Sequence, residues 1–422
     1  MDYKIDEFIV SDESVSQRIK EGIEKNRKGN FSLCVDGCDS VHVKLKKHKF
    51  RFGCNLFMLD EFPDDKNKNE IYKQKFADVF NLATLPFYWD ATEPQEGKTR
   101  YDRQAAPMYR RPPIDLCIDF CKKHGIEPRE HALCYDKFFP EWIKGQSIDF
   151  IKKHLEIRMK EISTRYKDLI PTIEVTNEMQ WDKGETAFYN DPSYMEYCFK
   201  LAEKYFPHNE LVINEWGAIW EQNGLPWDTY WQTIDNVLLK GGRIDAIGMQ
   251  YHMFFNENDY FRRTRKFYNL KHLFKILDNY ALFGKPIQIT EITIPALTEK
   301  PEDELMQADI IERLYSLWFS YPNIEQIIYW NLVDGYAAFT TPGDMKGGEN
   351  VYRGGLLRFD LSEKPSYQRI KHLIQEVWVT DEDVPVINGK ADFRGFYGEY
   401  EVTVNGKTHA VSLTEDTAVK RL

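Results

Sequence analysis

Two short runs in the sequence end in carboxylic acids that could work as a pair. Ile173-Glu174-Val175-Thr176-Asn177-Glu178 is a β-branched stretch closed by an amide and an acid, and Ile287-Gln288-Ile289-Thr290-Glu291 is a second of the same kind. Each reads as a buried strand whose polar end emerges where a parallel sheet places its chemistry. Two carboxyls facing across a sugar-sized cleft are what cleavage of a glycosidic bond requires: one protonates the leaving oxygen, the other attacks or activates water. The plainer alternative is a solvated strand end at Glu178 and a local Lys or Arg partner for Glu291.

Those two strand ends have to be held by a larger scaffold, and the chain supplies one. Apolar strand candidates at 51–57, 79–84, 127–133, 170–176, 210–214, 244–251, 286–291 and 325–331 alternate with amphipathic helix candidates at 68–78, 113–124, 147–166, 192–205, 227–240, 265–282 and 302–319, with a last helix at 366–377. This predicts a (β/α)₈ barrel, a TIM barrel of the α/β class, over residues 51–380. Glu178 then ends the fourth strand and Glu291 the seventh, on opposite sides of the barrel mouth. A doubly wound sheet is the competing fold, and the chain has no G-x-G-x-x-G turn to support it.

Outside the barrel, residues 1–50 form an N-terminal β segment. Within it 13–29 is charged and helical or irregular, and Phe31–Asp36 and Val41–Leu45 alternate around Gly37 as a hairpin would. Residues 381–422 carry a second set of alternating runs with Asn405-Gly406 between two of them. About 40 residues bury little core alone. The tail is therefore expected to pack with residues 30–50 as one small accessory β-domain built from both ends of the sequence.

Composition narrows the function. The 422 residues carry 67 acidic and 56 basic side chains, a net charge of −11. The basic cluster Lys44–Lys49 reads as a strand edge, so nucleic acid is not an expected partner. Aromatic residues make up 14 %, and flat rings stack on sugars as readily as they fill cores. Seven cysteines at irregular spacing suggest neither a disulfide framework nor, with Cys117 and Cys121 lacking a second pair, a zinc site. Met1–Asp6 opens no apolar leader, and no apolar run reaches the ~18 residues of a membrane span. The expectation is a cytoplasmic protein with no metal, no organic cofactor and no membrane partner. Removal of a leader would leave the same sequence.

Several motifs, in order, resemble glycoside hydrolase family 10, the retaining β-1,4-xylanases, over most of residues 51–377. They are Phe52-Gly53; Trp89-Asp90-Ala91-Thr92-Glu93-Pro94; His131 with Pro140-x-Trp142; Val175-Thr176-Asn177-Glu178; Leu211–Glu215; Ile247–His252; Ile289-Thr290-Glu291; Tyr329-Trp330 with Asp334; and Leu357–Tyr367. The resemblance implies that Glu178 is the general acid/base and Glu291 the nucleophile, with the acid kept protonated while the nucleophile stays ionised. It also implies that Asn177 bonds the sugar 2-hydroxyl, that His252 orients Glu291, and that Gln250 contacts the sugar or the acid. Trp330 would floor the reacting ring, with a core role as its alternative. Trp89, His131 and Asp334 fall in matched segments as substrate-binding or supporting residues.

The departures concern substrate grip. The family's Glu-Asn-x-x-Lys, which bonds sugars on the non-reducing side, is Thr84-Leu85-Pro86-Phe87-Tyr88 here, and its Trp-His after the third strand is Tyr135-Asp136. The Asp that supports the strand-six histidine is Thr293, and the second cleft tryptophan is Ala338, next to Phe339. Tyr88 or Asp136 is expected to take over the terminal sugar's hydroxyls. These features point to a retaining β-glycosidase on xylose-containing or related plant β-glycosides, acting on short oligosaccharides. Endo-β-1,4-xylanase action on polymeric xylan is the alternative, and a non-catalytic carbohydrate-binding barrel the third reading. Neither the exo or endo mode nor the oligomeric state is legible.

Overall fold

The computed structural model describes residues 12–63, 65–255 and 264–422, so Met1–Asp6 lies outside the described residues. Asp12 caps the first helix by accepting the Val15 amide at 3.1 Å. This helix, α1 (Glu13–Arg27), runs into β1 (Lys28–Cys34) and β2 (Ser40–His48), whose alternating burial leaves one face apolar.

Eight βα units follow: β3 (Arg51–Asn55) and α2 (Lys66–Val79), β4 (Leu82–Pro86) and α3 (Ile114–His124), β5 (Glu127–His131) and α4 (Ile148–Tyr166), β6 (Thr172–Asn177) and α5 (Tyr194–Tyr205). Then come β7 (Glu210–Glu215) and α6 (Thr229–Leu239), β8 (Ala246–His252) and α7 (Leu270–Tyr280), β9 (Ile287–Thr293) and α8 (Pro301–Ser320), β10 (Ile324–Tyr329) and α9 (Pro365–His372). All eight strands pair in parallel, and β10 returns onto β3 to close the barrel. Strands enclosed by helices outside and packed side chains inside are buried along their length, as β4, β6 and β9 are at every position.

Local signals start and stop the helices where the barrel needs them. Asp65, Ser147 and Asn269 each cap a helix through a side-chain oxygen. Pro301 and Pro365 open α8 and α9, and Gly125 ends α3 with φ 66°. At the barrel floor the Arg51 guanidinium meets Glu325 at 2.6 Å and Glu127 at 3.1 Å. Among the described residues no helix is long and apolar enough to cross a membrane.

The remaining strands are β11 (Asp381–Ile387), β12 (Lys390–Phe396), β13 (Gly398–Val404), β14 (Lys407–Leu413) and β15 (Ala418–Arg421). With β1 and β2 they form one sheet in the order β14-β13-β2-β11-β12-β1-β15. The hairpin expected between β1 and β2 does not form. β11 and β12 lie between those strands, β11 pairing with β2 and β12 with β1. Alternation records which face of a strand is buried but not its neighbour, and here the later strands supply the edges. Asn405 and Gly406, at φ 48° and 77°, turn β13 into β14. Phe319 of α8 stacks on Trp378 at 4.2 Å and on Phe396 of β12 at 6.1 Å, joining this sheet to the barrel floor. Arg27 caps the end of α8 by donating to the carbonyls of Phe319, Tyr321 and Ile324.

Candidate active site

The C-terminal ends of the barrel strands surround a cavity of about 410 Å³. Glu178 enters it because the chain turns sharply after β6. A register shift against β7 precedes it, and Glu178 takes φ 52°, its amide donating to Asn214 O at 3.2 Å. A left-handed backbone costs a non-glycine residue ~1–2 kcal/mol. Buried Glu215 secures the turn by accepting the Met179 amide at 2.5 Å.

Three donors hold the Glu178 carboxyl. Tyr135 Oη reaches Oε2 at 2.5 Å, Trp181 Nε1 reaches the same oxygen at 3.1 Å, and Gln250 Nε2 reaches Oε1 at 3.1 Å. Gln250 also donates to Asn177 Oδ1 at 3.1 Å. Asn214 Nδ2 lies 2.9 Å from Asn177 Oδ1, 3.0 Å from Glu291 Oε1 and 3.2 Å from Glu174 Oε1. A continuous line of amides thus links the two carboxyls. Asn177 Nδ2 is buried and finds no acceptor among the described residues, so the amide keeps one donor for a ligand hydroxyl.

Glu291 rests on His252, whose Nε2 is 3.1 Å from Oε2 and whose Nδ1 is 2.9 Å from Thr293 Oγ1. Burial lowers the His252 pKa and favours the neutral ring. The Thr293 hydroxyl can donate or accept, so it permits either tautomer, which a carboxylate there would not. Burial pushes the Glu291 carboxyl up to about 8, with His131 opposing and Glu174 and Glu178 adding to the rise. The sequence reading asked for an ionised group at this position, and in the free site desolvation works against it.

Beneath Glu291 lies a buried charged layer. Glu174 forms an ion pair with Arg129, Nη2 to Oε2 2.6 Å, and accepts from His131 Nδ1 at 2.8 Å. Burial alone would raise its pKa, but His131 and Arg129 hold it below the usual range. Among the described residues His131, Glu174 and Glu291 are grouped as metal ligands could be. The trio fits a metal poorly, because Arg129 already neutralises Glu174 and His131 Nδ1 points its hydrogen at that carboxylate.

The structure brings most of the expected residues together. Glu178, Glu291, Asn177, Gln250, His252, His131, Tyr88 and Trp330 all line the cavity. Trp330 meets Phe57 at 5.2 Å and His131 at 5.3 Å, forming an apolar side to the reaction centre. Tyr88 has its hydroxyl 3.0 Å from His131 Nε2.

Three residues stand elsewhere. Asp136, expected at a sugar hydroxyl, turns away from the cavity and accepts from Thr186 Oγ1 and the Glu185 and Thr186 amides, fastening the following loop. Trp89 donates to Glu93 Oε2 at 2.8 Å and packs on Phe139 and Trp142. Asp334 is buried against Lys364 Nζ at 3.0 Å and the Gly355 amide at 2.7 Å. The last two are supports, since neither touches the cavity.

Sequence reasoning missed the binding of Glu178 by Tyr135 and Trp181, the bridging role of Asn214, and the Arg129–Glu174 pair. A charge at Glu174, between Ile173 and Val175, was the available signal for that pair. It also missed the cavity's two aromatic walls. After β4 and β5, Tyr88, Tyr135 and Phe138 form one, with Phe339 stacked on Phe138 at 5.8 Å. After β6 and β7, Trp181 stacks on Trp216 at 5.1 Å.

Comparison with known proteins gives a consistent picture. The model described as glycosyl hydrolase family 10 matches residues 44–372. Endo-1,4-beta-xylanase B of Thermotoga neapolitana is 26 % identical over 347 residues, covering 79 % of this chain and 90 % of that protein. Endo-1,4-beta-xylanase 2 of Arabidopsis thaliana is 23 % identical over 391 residues, 90 % of this chain but only 32 % of its own length. Among solved structures, xylanase 10B from Thermotoga petrophila RKU-1 in complex with xylobiose superposes with a TM-score of 0.60 at 22 % identity, covering 78 % of this chain and 95 % of that one. At that identity the likeness is one of fold.

Proposed function

The chain belongs to glycosyl hydrolase family 10 and is a glycoside hydrolase acting on O-glycosyl bonds, and from that premise we propose that it is a retaining β-glycosidase working on short xylose-containing or related plant β-glycosides. The observation that carries this reading is the amide line Gln250–Asn177–Asn214 joining Glu178 to Glu291. In the first step Glu291 attacks the anomeric carbon while Glu178 gives its proton to the departing oxygen. In the second, Glu178 takes a proton from water, the water oxygen bonds the anomeric carbon, and Glu291 leaves. Asn177 Nδ2 is the donor available to the sugar 2-hydroxyl, a bond that strengthens as charge develops at the ring.

Attack draws on the ionised fraction of Glu291. Burial moves that carboxyl up to about 8 in the free cavity, and because Glu178 must keep its proton in the same step, kcat/KM is expected to rise and then fall with pH. Xylose-containing substrates are supported by the names of the relatives. Short substrates are supported by the cavity, whose 410 Å³ is lined by Tyr88 and Phe138 where the family's charged residues would reach for a longer chain.

The test is to incubate the protein with xylo-oligosaccharides of increasing length and with soluble xylan, following the anomeric form of the first product by NMR. Initial release of the β-anomer, with Glu178→Gln at least ~100-fold slower, supports the reading. Initial release of the α-anomer, or turnover unchanged in Glu178→Gln, overturns it. Faster cleavage of xylan than of short oligosaccharides favours the endo-xylanase reading, which the rim at Phe339, 78 % exposed, also accommodates.

A further inference from the structure

The wall beyond β4 and β5 carries two arginines that bond cleavage does not use. Arg110 and Arg111 line the cavity side by side at 3 % and 9 % exposure. The left-handed φ of 61° at Arg110 lets two consecutive side chains reach one wall. Arg110 donates to Tyr336 O and leaves its Nε buried with no acceptor among the described residues. Arg111 donates from Nη1 to Arg110 O at 3.0 Å and lies 4.0 Å from the centroid of the Tyr88 ring.

Neither guanidinium forms an ion pair with a described carboxylate. The acids whose fields reach Arg111 are Asp90 and Glu61. Burial raises the Asp90 pKa and pushes the Glu61 carboxyl up to about 7, so Glu61 is only a partial counter-charge at neutral pH. Lys137, on the same wall, adds a third cation. Buried positive charge without a partner is costly in a free protein and becomes favourable when a ligand brings the anion. A guanidinium also matches the planar two-oxygen face of a carboxylate.

We propose that this wall selects a carboxylate on the glycan: the substrate is an oligosaccharide bearing a uronic acid, its carboxylate seated on Arg111 with Arg110 behind it. The inference rests on the reading of this cavity as the glycoside-cleaving site. It gives the departures at Thr84–Tyr88 a purpose. Removing the side chains that grip a neutral sugar clears space for a charged one, and the apolar ring faces around Arg111 strengthen the attraction by lowering the local dielectric.

The test compares glucuronic-acid-bearing xylo-oligosaccharides with the same compounds after reduction of the carboxyl to an alcohol, which keeps the shape and removes the charge. The expected result is a kcat/KM at least ~10-fold higher for the acid, about 1.4 kcal/mol, with the ratio falling towards one in Arg111→Gln. Titration calorimetry on Glu178→Gln with the same pair gives the binding ratio without turnover. Ratios within twofold of one in the wild-type protein overturn the inference, as does an unchanged preference in Arg111→Gln. A preference confined to sulfated or phosphorylated oligosaccharides overturns the assignment to a carboxylate. Preferential binding of the acid with no hydrolysis of either compound leaves the inference standing and removes the hydrolase reading, so the two fail separately.

Discussion

Replacing Glu291 by Gln should abolish turnover and, at alkaline pH, make the protein more stable. In the unfolded chain this carboxyl titrates near 4.5, and in the folded cavity burial moves it to about 8. Below about pH 4.5 it is neutral in both states, and its contribution to stability is fully present. Between those values the unfolded chain releases the proton while the folded one keeps it, and the fold loses ~1.4 kcal/mol per pH unit. The loss levels off above about pH 8, on the order of a few kcal/mol. The substituted amide carries no charge at any pH and still offers an oxygen to Asn214 Nδ2, which donates to Glu291 Oε1 at 3.0 Å. Urea unfolding of both proteins between about pH 5 and pH 9 measures the effect, because other titrating groups largely cancel in the difference. The two should be nearly equal at the acid end, with the Glu291→Gln protein ahead by several kcal/mol at the alkaline end. A difference that stays flat across the range would refute the reasoning, since it would mean that burial does not hold the proton on Glu291.

Two further outcomes follow from residues outside the cavity. Asp334→Asn leaves the Lys364 ammonium, only 1 % exposed, without its counter-charge, so a loss of about 3–5 kcal/mol is expected; thermal unfolding reads this, and a loss below ~1 kcal/mol would show that the pair is not electrostatically coupled. Asp136→Ala removes the acceptor of the Glu185 and Thr186 amides and the Thr186 hydroxyl, freeing the loop that carries Trp181. KM should rise severalfold with stability changed by only about 1–3 kcal/mol, and an unchanged KM would separate that loop from substrate binding.

The barrel was legible because its signals repeat. Each strand is a short apolar run, each helix has an amphipathic face and several have a capping residue, and eight agreeing units leave little room for another topology. The two glutamates were legible because a carboxyl closing such a run has few structural reasons to be there. Asp136 shows where this reasoning stops: the sequence placed it beside the cleft, but three donors in a loop some fifty positions away turned it aside. Strand neighbours in the accessory sheet were hidden for a related reason. Burial alternation in β1 and β2 is satisfied by any partner, and the actual partners lie at the far end of the chain. Arg110 and Arg111 gave no periodic signal, and only the closed fold shows that neither forms an ion pair among the described residues.

The order of that sheet also sets a schedule for synthesis. Lys44 is bonded to Asp381, 337 positions away, and β1 pairs with both β12 and β15. A ribosome adding ~5–20 residues per second leaves β1 and β2 waiting on the order of tens of seconds for these partners while the barrel forms between them. During that interval their edges are open to pairing with other nascent chains. Lys44, Lys46 and Lys47 on β2 are exposed in the folded protein, and a row of like charges on a waiting edge discourages such pairing. In the finished sheet the same lysines take up Asp381, Glu401 and the Gly125 carbonyl, so the charges that keep a lone strand apart also fasten it once its partners arrive.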